Sequence, residues 1–315
     1  MKRFWIIIIF CNLFLLVRAQ QEVGFSQYFT AMGYYNPAYV GKSGDMNVLT
    51  HSRLQWYGVI NNAPASAFVS AEMPWNYGRM QNGIGIIAAY DKASSLYQRT
   101  HFAAQYAYKK KMGKGILSVG LMAGLISETF RGDSLRLNEN EGNDEIISRS
   151  TVDGKAIDVA FGLFFSTEKY YFGIASTHIT APKLKLGENM QMQVDRMYNL
   201  TAGYNIPTKN PFFELQPSLF VLTNLLMAAG DITLRGVYNK LYNGGLGVRI
   251  NDMAGLNAII IYLGADIKRF RLGYAYDFPT SVISKTGSHE LMLAYRVELE
   301  KPKGKSNKHK SVRIL

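Results

Sequence analysis

Between Ile267 and Val297 the chain alternates between two kinds of residue. Phe270, Leu272, Tyr274 and Tyr276 interleave with Arg271, Gly273, Ala275 and Asp277. After the loop 278–287, Leu291, Leu293, Tyr295 and Val297 interleave with Glu290, Met292, Ala294 and Arg296. Successive side chains of a strand point to opposite faces, so this period of two gathers every large apolar group on one side. The other side is small or charged, and a dry core accepts no unpaired charge. Apolar outside and polar inside is the pattern of a membrane β-barrel, whose strands need about 9–11 residues each.

The rest of the chain repeats this unit. Strand-length segments fall near 46–54, 65–73, 83–91, 97–108, 115–127, 156–166, 169–177, 193–205, 212–222, 231–238, 243–250, 256–264, 267–277 and 288–297. The reading is therefore an all-β, antiparallel transmembrane barrel of about 14 strands. Ile157, Val159, Phe161, Leu163 and Phe165 oppose Asp158, Ala160, Gly162, Phe164 and Ser166; Phe213, Leu215, Pro217, Leu219 and Val221 oppose Glu214, Gln216, Ser218 and Phe220. Pro217 removes a ladder hydrogen bond, which predicts a bulge there. The first segment, with His51 and Arg53, alternates poorly. Twenty tyrosines, many near segment ends, suit the aromatic girdles of such barrels.

Connections also fall into two kinds. Those at 73–79, 109–114, 167–169, 207–211, 239–240 and 264–266 are short, whereas 127–155 and 178–192 are long. Outer-membrane barrels have short periplasmic turns and longer external loops. This predicts an even strand number, an outer-membrane location and both termini in the periplasm. The barrel then occupies 44–297. Ahead of it, residues 20–43 form an aromatic segment too short to fold alone, expected to plug the lumen or pack in it. In it Ser26 is a candidate cap for a short helix carrying Tyr28, Phe29 and Met32, with Gly33 as its stop and Asn36-Pro37 as a turn. Residues 298–315 form a basic tail, a candidate docking arm carrying Lys301, Lys303, Lys305, Lys308, Lys310 and Arg313.

Residues 1–19 read as a signal peptide: basic Lys2 and Arg3, an apolar run from Trp5 to Val17, and Val17-Arg-Ala19 as the cleavage site. The run is shorter than the ~20 residues of a membrane helix. Cys11, the single cysteine, lies within it, without a lipobox-like context, so the mature chain is expected to lack disulfides, thiol catalysis and thiolate metal sites. The net charge of +12 includes Lys2, Arg3 and Arg18 of the leader. Basic charge on an exported chain, scattered over turns, does not point to nucleic acid.

Catalytic patterns are lacking. His51, His101, His178, His289 and His309 show no metal-ligand spacing, and neither a Gly-x-Ser-x-Gly elbow nor a phosphate loop occurs. Ser288-His289-Glu290 invites a hydrolase reading, but adjacent strand residues face opposite ways, which separates His289 from both neighbours. Gly83-Ile-Gly85 and Gly244-Gly-Leu-Gly247 read as strand glycines for bulges or close packing. Arg53 and Gln55 share one face near the barrel mouth, with Asp277 or the N-terminal segment as expected partners of Arg53. The expectation is a non-enzymatic protein without cofactor or metal.

An ordered set of phrases carries a family resemblance: Phe25-Ser-Gln-Tyr28, Asn36-Pro37-Ala-Tyr-Val-Gly41, Arg53-Leu-Gln55-Trp56, Pro64-Ala-Ser66, Gly273-Tyr-Ala-Tyr-Asp277-Phe278, Ser281 and Gly287-Ser288-His289-Glu290. Together they resemble the PorP/SprF family of type IX secretion membrane proteins, across essentially the whole mature chain. The resemblance implies an outer-membrane barrel, in contact with outer-membrane lipids, that works with a periplasmic ring lipoprotein and its partner subunits. It also implies a peptidoglycan-binding lipoprotein as a further partner, and a role in exporting cargo with a C-terminal signal or gliding adhesins. From the residues alone, a diffusion channel or transporter for small solutes is the alternative, with Glu214, Arg235, Arg249 and Arg271 lining the pore or paired across a filled lumen.

Overall fold

Alternating faces can satisfy both lipid and a polar interior only if the sheet closes, because an open edge in a bilayer leaves backbone groups unpaired. The computed structural model describes residues 22–58, 63–75, 81–132, 151–187, 190–252, 255–280 and 286–299. The expected signal peptide, the centre of the loop 127–155, Ser281 and the tail from Lys301 lie outside the described residues. A short helix α1 (Met32–Tyr35) and a 3₁₀ turn (Pro37–Tyr39) precede the strands. These are β1 (Met46–Leu54), β2 (Ala65–Pro74), β3 (Gln81–Lys92), β4 (Tyr97–Met112), β5 (Gly115–Arg131) and β6 (Thr151–Ser166), then β7 (Tyr170–Thr177), β8 (Lys183–Leu186), β9 (Met190–Gln193) and β10 (Met197–Tyr204). There follow β11 (Ile206–Pro207), β12 (Phe213–Thr223), β13 (Ala228–Tyr238), β14 (Tyr242–Asn251), β15 (Gly255–Ile267), β16 (Phe270–Pro279) and β17 (Ser288–Val297).

Fourteen of these form one closed antiparallel barrel. Sequential neighbours pair throughout, β10 pairs with β12, and the seam closes where β1 meets β17 with Met46 opposite Val297 and Arg53 opposite Glu290. No described helix is long and apolar enough to cross a membrane; the strands do so instead. On β16 and β17 Leu272, Leu291 and Leu293 face out, while Ala275, Asp277, Ser288, Glu290, Met292 and Ala294 are buried inside. On β6 Ile157 is 67% exposed beside fully buried Asp158 and Ala160. β1 alternates weakly because its outer face is Val48, Thr50, Ser52 and Leu54; its inner face holds Leu49, His51 and Arg53.

The two rims differ. One carries the links 113–114, 167–169, 239–241 and 268–269; the other carries 132–150, 178–196 and 280–287. Tyr108, Tyr170, Tyr204, Tyr238 and Tyr242 stand on the outer surface at the short-turn rim. Rings with polar tips settle where hydrocarbon meets headgroups, so this belt marks one membrane interface.

Several local expectations need correction. β5 runs on to Arg131 and β6 starts at Thr151, so the long loop between them is shorter than the sequence suggests. The segment 178–192 is no plain loop: β8 and β9 form a hairpin there, with Leu184 and Val194 packed on inward-facing Ile126. Pro217 makes no bulge. The register with β13 is unbroken through Pro217, and on its other side the pairing with β10 stops at Ser218 and resumes through β11 at Leu215, so the proline sits where no ladder bond is asked of it. A register shift lies instead between Arg249 and Ile250. Gly33 falls inside α1 rather than ending it, and Ser26 lies outside the helix, serving a different purpose.

Candidate functional site

Residues 22–45 lie against the inner wall, with contacts on strands from every side. Tyr28 stacks on Phe220 and its hydroxyl meets Ser218 Oγ at 2.7 Å; Phe29 meets Tyr262 edge-on; Phe25 packs on His51 and Phe68. Phe25, Tyr28 and Tyr35 are almost wholly buried. The Tyr35 hydroxyl accepts from Phe25 N and donates to Val23 O, each at 2.8 Å, folding the segment on itself. Burial pushes this phenol well above its ordinary pKa, so it remains a neutral hydrogen-bonding group.

Glycines on the wall let this segment come unusually close. A Cβ built at Gly83 would stand 2.0 Å from Val40 O, one at Gly120 2.1 Å from Ala38 N, and one at Gly162 2.1 Å from Asn36 Oδ1. The Asn36 side chain accepts from Ala38 N at 2.9 Å while its Nδ2 donates to the strand carbonyls of Leu163 and Ile174 at 3.0 and 3.3 Å. Pro37 opens the 3₁₀ turn, where its missing N–H is not needed. Gly41, at φ +69° and against Gly83 Cα, has its N–H held by Glu72 Oε2 at 3.0 Å. Asn36, Pro37 and Gly41 thus form one contact with β3, β5 and β6.

Toward the other rim the segment is held by charge. Glu290 Oε2 accepts from Ser26 N and Oε1 from Gln27 N, both at 2.7 Å. Arg53 donates to Glu290 at 3.1 Å, to Asp277 at 2.6 Å and to Ser26 Oγ at 2.7 Å. Ser26 Oγ in turn lies 2.6 Å from Asp277 Oδ1. Arg249 bridges Asp277 at 3.0 Å and Asp231 at 2.7 and 2.8 Å, and reaches Ser26 Oγ at 3.1 Å. His51 Nε2 completes the group, 3.3 Å from Glu290. Each ion is buried, each has an opposite partner, and Glu290 also takes two backbone N–H groups; this is the condition under which buried ions are tolerated.

The network lies between two cavities. One of ≈ 360 Å³ on the long-loop side is lined by Gln55, Trp56, Pro64 and Ser66 together with Arg53 and Arg249. The other, of ≈ 690 Å³, opens on the short-turn side and includes Gln27, Phe29 and Arg235. Among the remaining motif residues, Ser66 Oγ donates to Asp91 at 2.5 Å, and Gly287 sits where a Cβ would meet Asp277 O and the Tyr276 ring. Ser288 is buried inside next to Asp277, whereas His289 is on the outer side, its Nδ1 2.8 Å from the Tyr274 hydroxyl. Ser288 and His289 therefore make no catalytic pair. Arg249, Asp231, His51 and Ser26 take part in the network without having been singled out by the sequence as a group. For Arg249, Asp231 and His51 the inward parity of their strand positions was the available signal.

A second buried cluster joins Asp158 of β6 to His101 of β4 at 3.2 Å and to His178 at 3.0 Å, below the β8–β9 hairpin. Arg99 pairs with Glu128 beside it.

A family model described as type IX secretion system membrane protein PorP/SprF matches residues 17–295. The chain belongs to the PorP/SprF family. As a PorP/SprF member with a closed 14-strand barrel, it is an outer-membrane component associated with type IX secretion. No curated protein matches its sequence. Among solved structures, the Ralstonia pickettii toluene transporter TbuX is similar with a TM-score of 0.53 at 13% identity, over 85% of this chain and 93% of that one. The Pseudomonas putida toluene transporter TodX aligns with a TM-score of 0.46 at 8% identity, over 85% and 93%. At these identities the likeness to TbuX speaks for the barrel fold alone.

Proposed function

We propose that this PorP/SprF member is a non-enzymatic barrel of the type IX secretion machinery, with its lumen closed by residues 22–45 and its short-turn rim turned to the periplasm. In that role it anchors periplasmic ring subunits to the outer membrane and supports export of C-terminal-signal cargo or of gliding adhesins. The observation that carries the closed-scaffold reading is the pinning of Ser26 and Gln27 by Glu290, within the ionic network of Arg53, Arg249, Asp231 and Asp277. A solute pathway needs a wetted, open lumen, whereas here the charges of Arg53, Arg249, Asp231, Asp277 and Glu290 are taken up by one another and by the segment. The short-turn rim suits the periplasmic side because both β1 and β17 join their flanking segments there and its links are short.

Two measurements test this. Purified protein in planar bilayers gives no steady conductance steps if the lumen is closed; stable channels in the intact chain would favour a solute channel instead. Deletion with complementation, read by mass spectrometry of the medium and cell surface, removes C-terminal-signal cargo or one large adhesin from outside the cell. An unchanged exported set would end the secretion role.

A further inference from the structure

The cavity on the short-turn side is strongly one-signed. Lys42, Arg235, Lys240, Lys268, Arg269, Arg271 and Arg296 line it, against Glu214 and Asp266. The opposite cavity is balanced by contrast, with Arg53 and Arg249 facing Glu22, Asp91 and Asp231. In the basic vestibule Arg271 is paired with Asp266 at 2.5 Å and Arg269 lies 4.0 Å from Glu298. Among the described residues, Lys42, Arg235, Lys240, Lys268 and Arg296 have no carboxylate within ion-pair distance. Arg235 is instead held over the Phe29 ring, its Cζ 4.1 Å from the centroid, and donates to Gln216. Lys42 Nζ sits 4.8–5.4 Å from the ring centres of Phe164, Tyr39 and Tyr171. Such a wall repels itself, a cost that an anionic occupant removes.

We propose that this vestibule receives an acidic peptide segment of a protein on the periplasmic side, Asp and Glu side chains pairing with Arg235, Lys240, Lys268 and Arg296. The inference rests on the periplasmic placement of the short-turn rim proposed above. The occupant is a peptide rather than a single anion because of the spread of the cations. Arg235 on β13 and Arg296 on β17 are four strand spacings apart, roughly 19 Å along the wall at about 4.8 Å each. One phosphate or carboxylate cannot bridge that, whereas an extended peptide at about 3.3 Å per residue does so with about six residues. The chain's own tail is disfavoured by sign: beyond Glu298 and Glu300 it carries Lys301, Lys303, Lys305, Lys308, Lys310 and Arg313 and no further acidic side chain.

The test uses full-length protein in nanodiscs and a fluorescent hexaglutamate peptide, with hexaglutamine as control. Saturable, salt-sensitive binding of hexaglutamate alone is expected, weakened at least tenfold in Arg235→Gln/Arg296→Gln and restored in Arg235→Lys/Arg296→Lys. Heat-modifiable gel migration reports that each variant retains its barrel. A chain ending at residue 299 still binds if the vestibule is the site. The proposal is overturned if the Gln variant binds normally, if tail removal abolishes binding, or if inorganic phosphate at equal ionic strength displaces the peptide. Orientation is read separately: with Lys240→Cys, a membrane-impermeant maleimide labels only permeabilised cells. Labelling of intact cells overturns the periplasmic reading, and with it a periplasmic partner, while the nanodisc result still reports whether the peptide site exists.

Discussion

Glu290→Gln is the sharpest probe of how the N-terminal segment is held. The two carboxylate oxygens serve two backbone donors, Ser26 N and Gln27 N, at 2.7 Å each, and one of them also takes Arg53 at 3.1 Å. Glutamine is isosteric but offers one acceptor; its amide nitrogen then faces a backbone N–H as donor against donor. A charge-assisted bond contributes ~1.5–3 kcal/mol, and removing one partner from a buried ion pair costs ~3–5 kcal/mol. Arg53 keeps Asp277 and Ser26, which moderates the second figure, so the segment's docking should weaken by about 3–4 kcal/mol. At about 1.4 kcal/mol per tenfold, that is two to three orders of magnitude in the docking equilibrium. Amide hydrogen exchange in nanodiscs reads it directly: Ser26 and Gln27 should lose protection by that factor. The β16 and β17 amides should stay protected, because their ladder bonds are backbone to backbone. Unchanged protection at Ser26 and Gln27 would refute the reasoning. So would loss of protection along the β1–β17 seam, which would mean that Glu290 holds the barrel wall and not the segment.

Other perturbations follow from the same geometry. Gly120→Val puts side-chain atoms where Ala38 N and Pro37 C now lie, and should expel the 36–40 turn at a cost of at least ~1–3 kcal/mol, seen as new proteolytic cleavage within residues 36–45 while the barrel stays heat-modifiable. Tyr35→Phe leaves the buried Phe25 N–H without its acceptor and should destabilise the segment by about 1–3 kcal/mol, measured by exchange at Phe25. Leu184→Ala opens a cavity beside Ile126 and Val194 and should loosen the β8–β9 hairpin by ~2–5 kcal/mol, detected as protease sensitivity of residues 183–193 with no change in the strands. Removing residues 22–43 should produce single-channel steps in planar bilayers that the intact chain lacks; silence in both would show that the segment is not what closes the lumen.

What the sequence by itself determined was the wall. Its period-two alternation, clean in several segments and weak in the first, is a one-dimensional signal that a strand's geometry converts directly into an inner and an outer face, so a barrel of about fourteen strands, the short-turn rim and the inward placement of Asp277 and Glu290 were legible. The family's ordered phrases were legible too, but as isolated words. Only the tertiary structure showed that Ser26, Arg53, Asp277 and Glu290 form one ionic network with Arg249 and Asp231. These positions are up to 264 residues apart, and closing the barrel is what brings β1 beside β17. The same holds for Gly83, Gly120 and Gly162, which look like any strand glycine until the 36–41 turn is laid on them. Failures were local: Pro217 suggested a bulge, yet the pairing simply lapses beside it, and 178–192 looked like a loop because Leu184 and Val194 find their apolar partner on β5 rather than nearby in sequence. Periodicity reports how a residue faces its own strand; which buried charges meet across the lumen depends on closure, and closure is a property of the whole sheet.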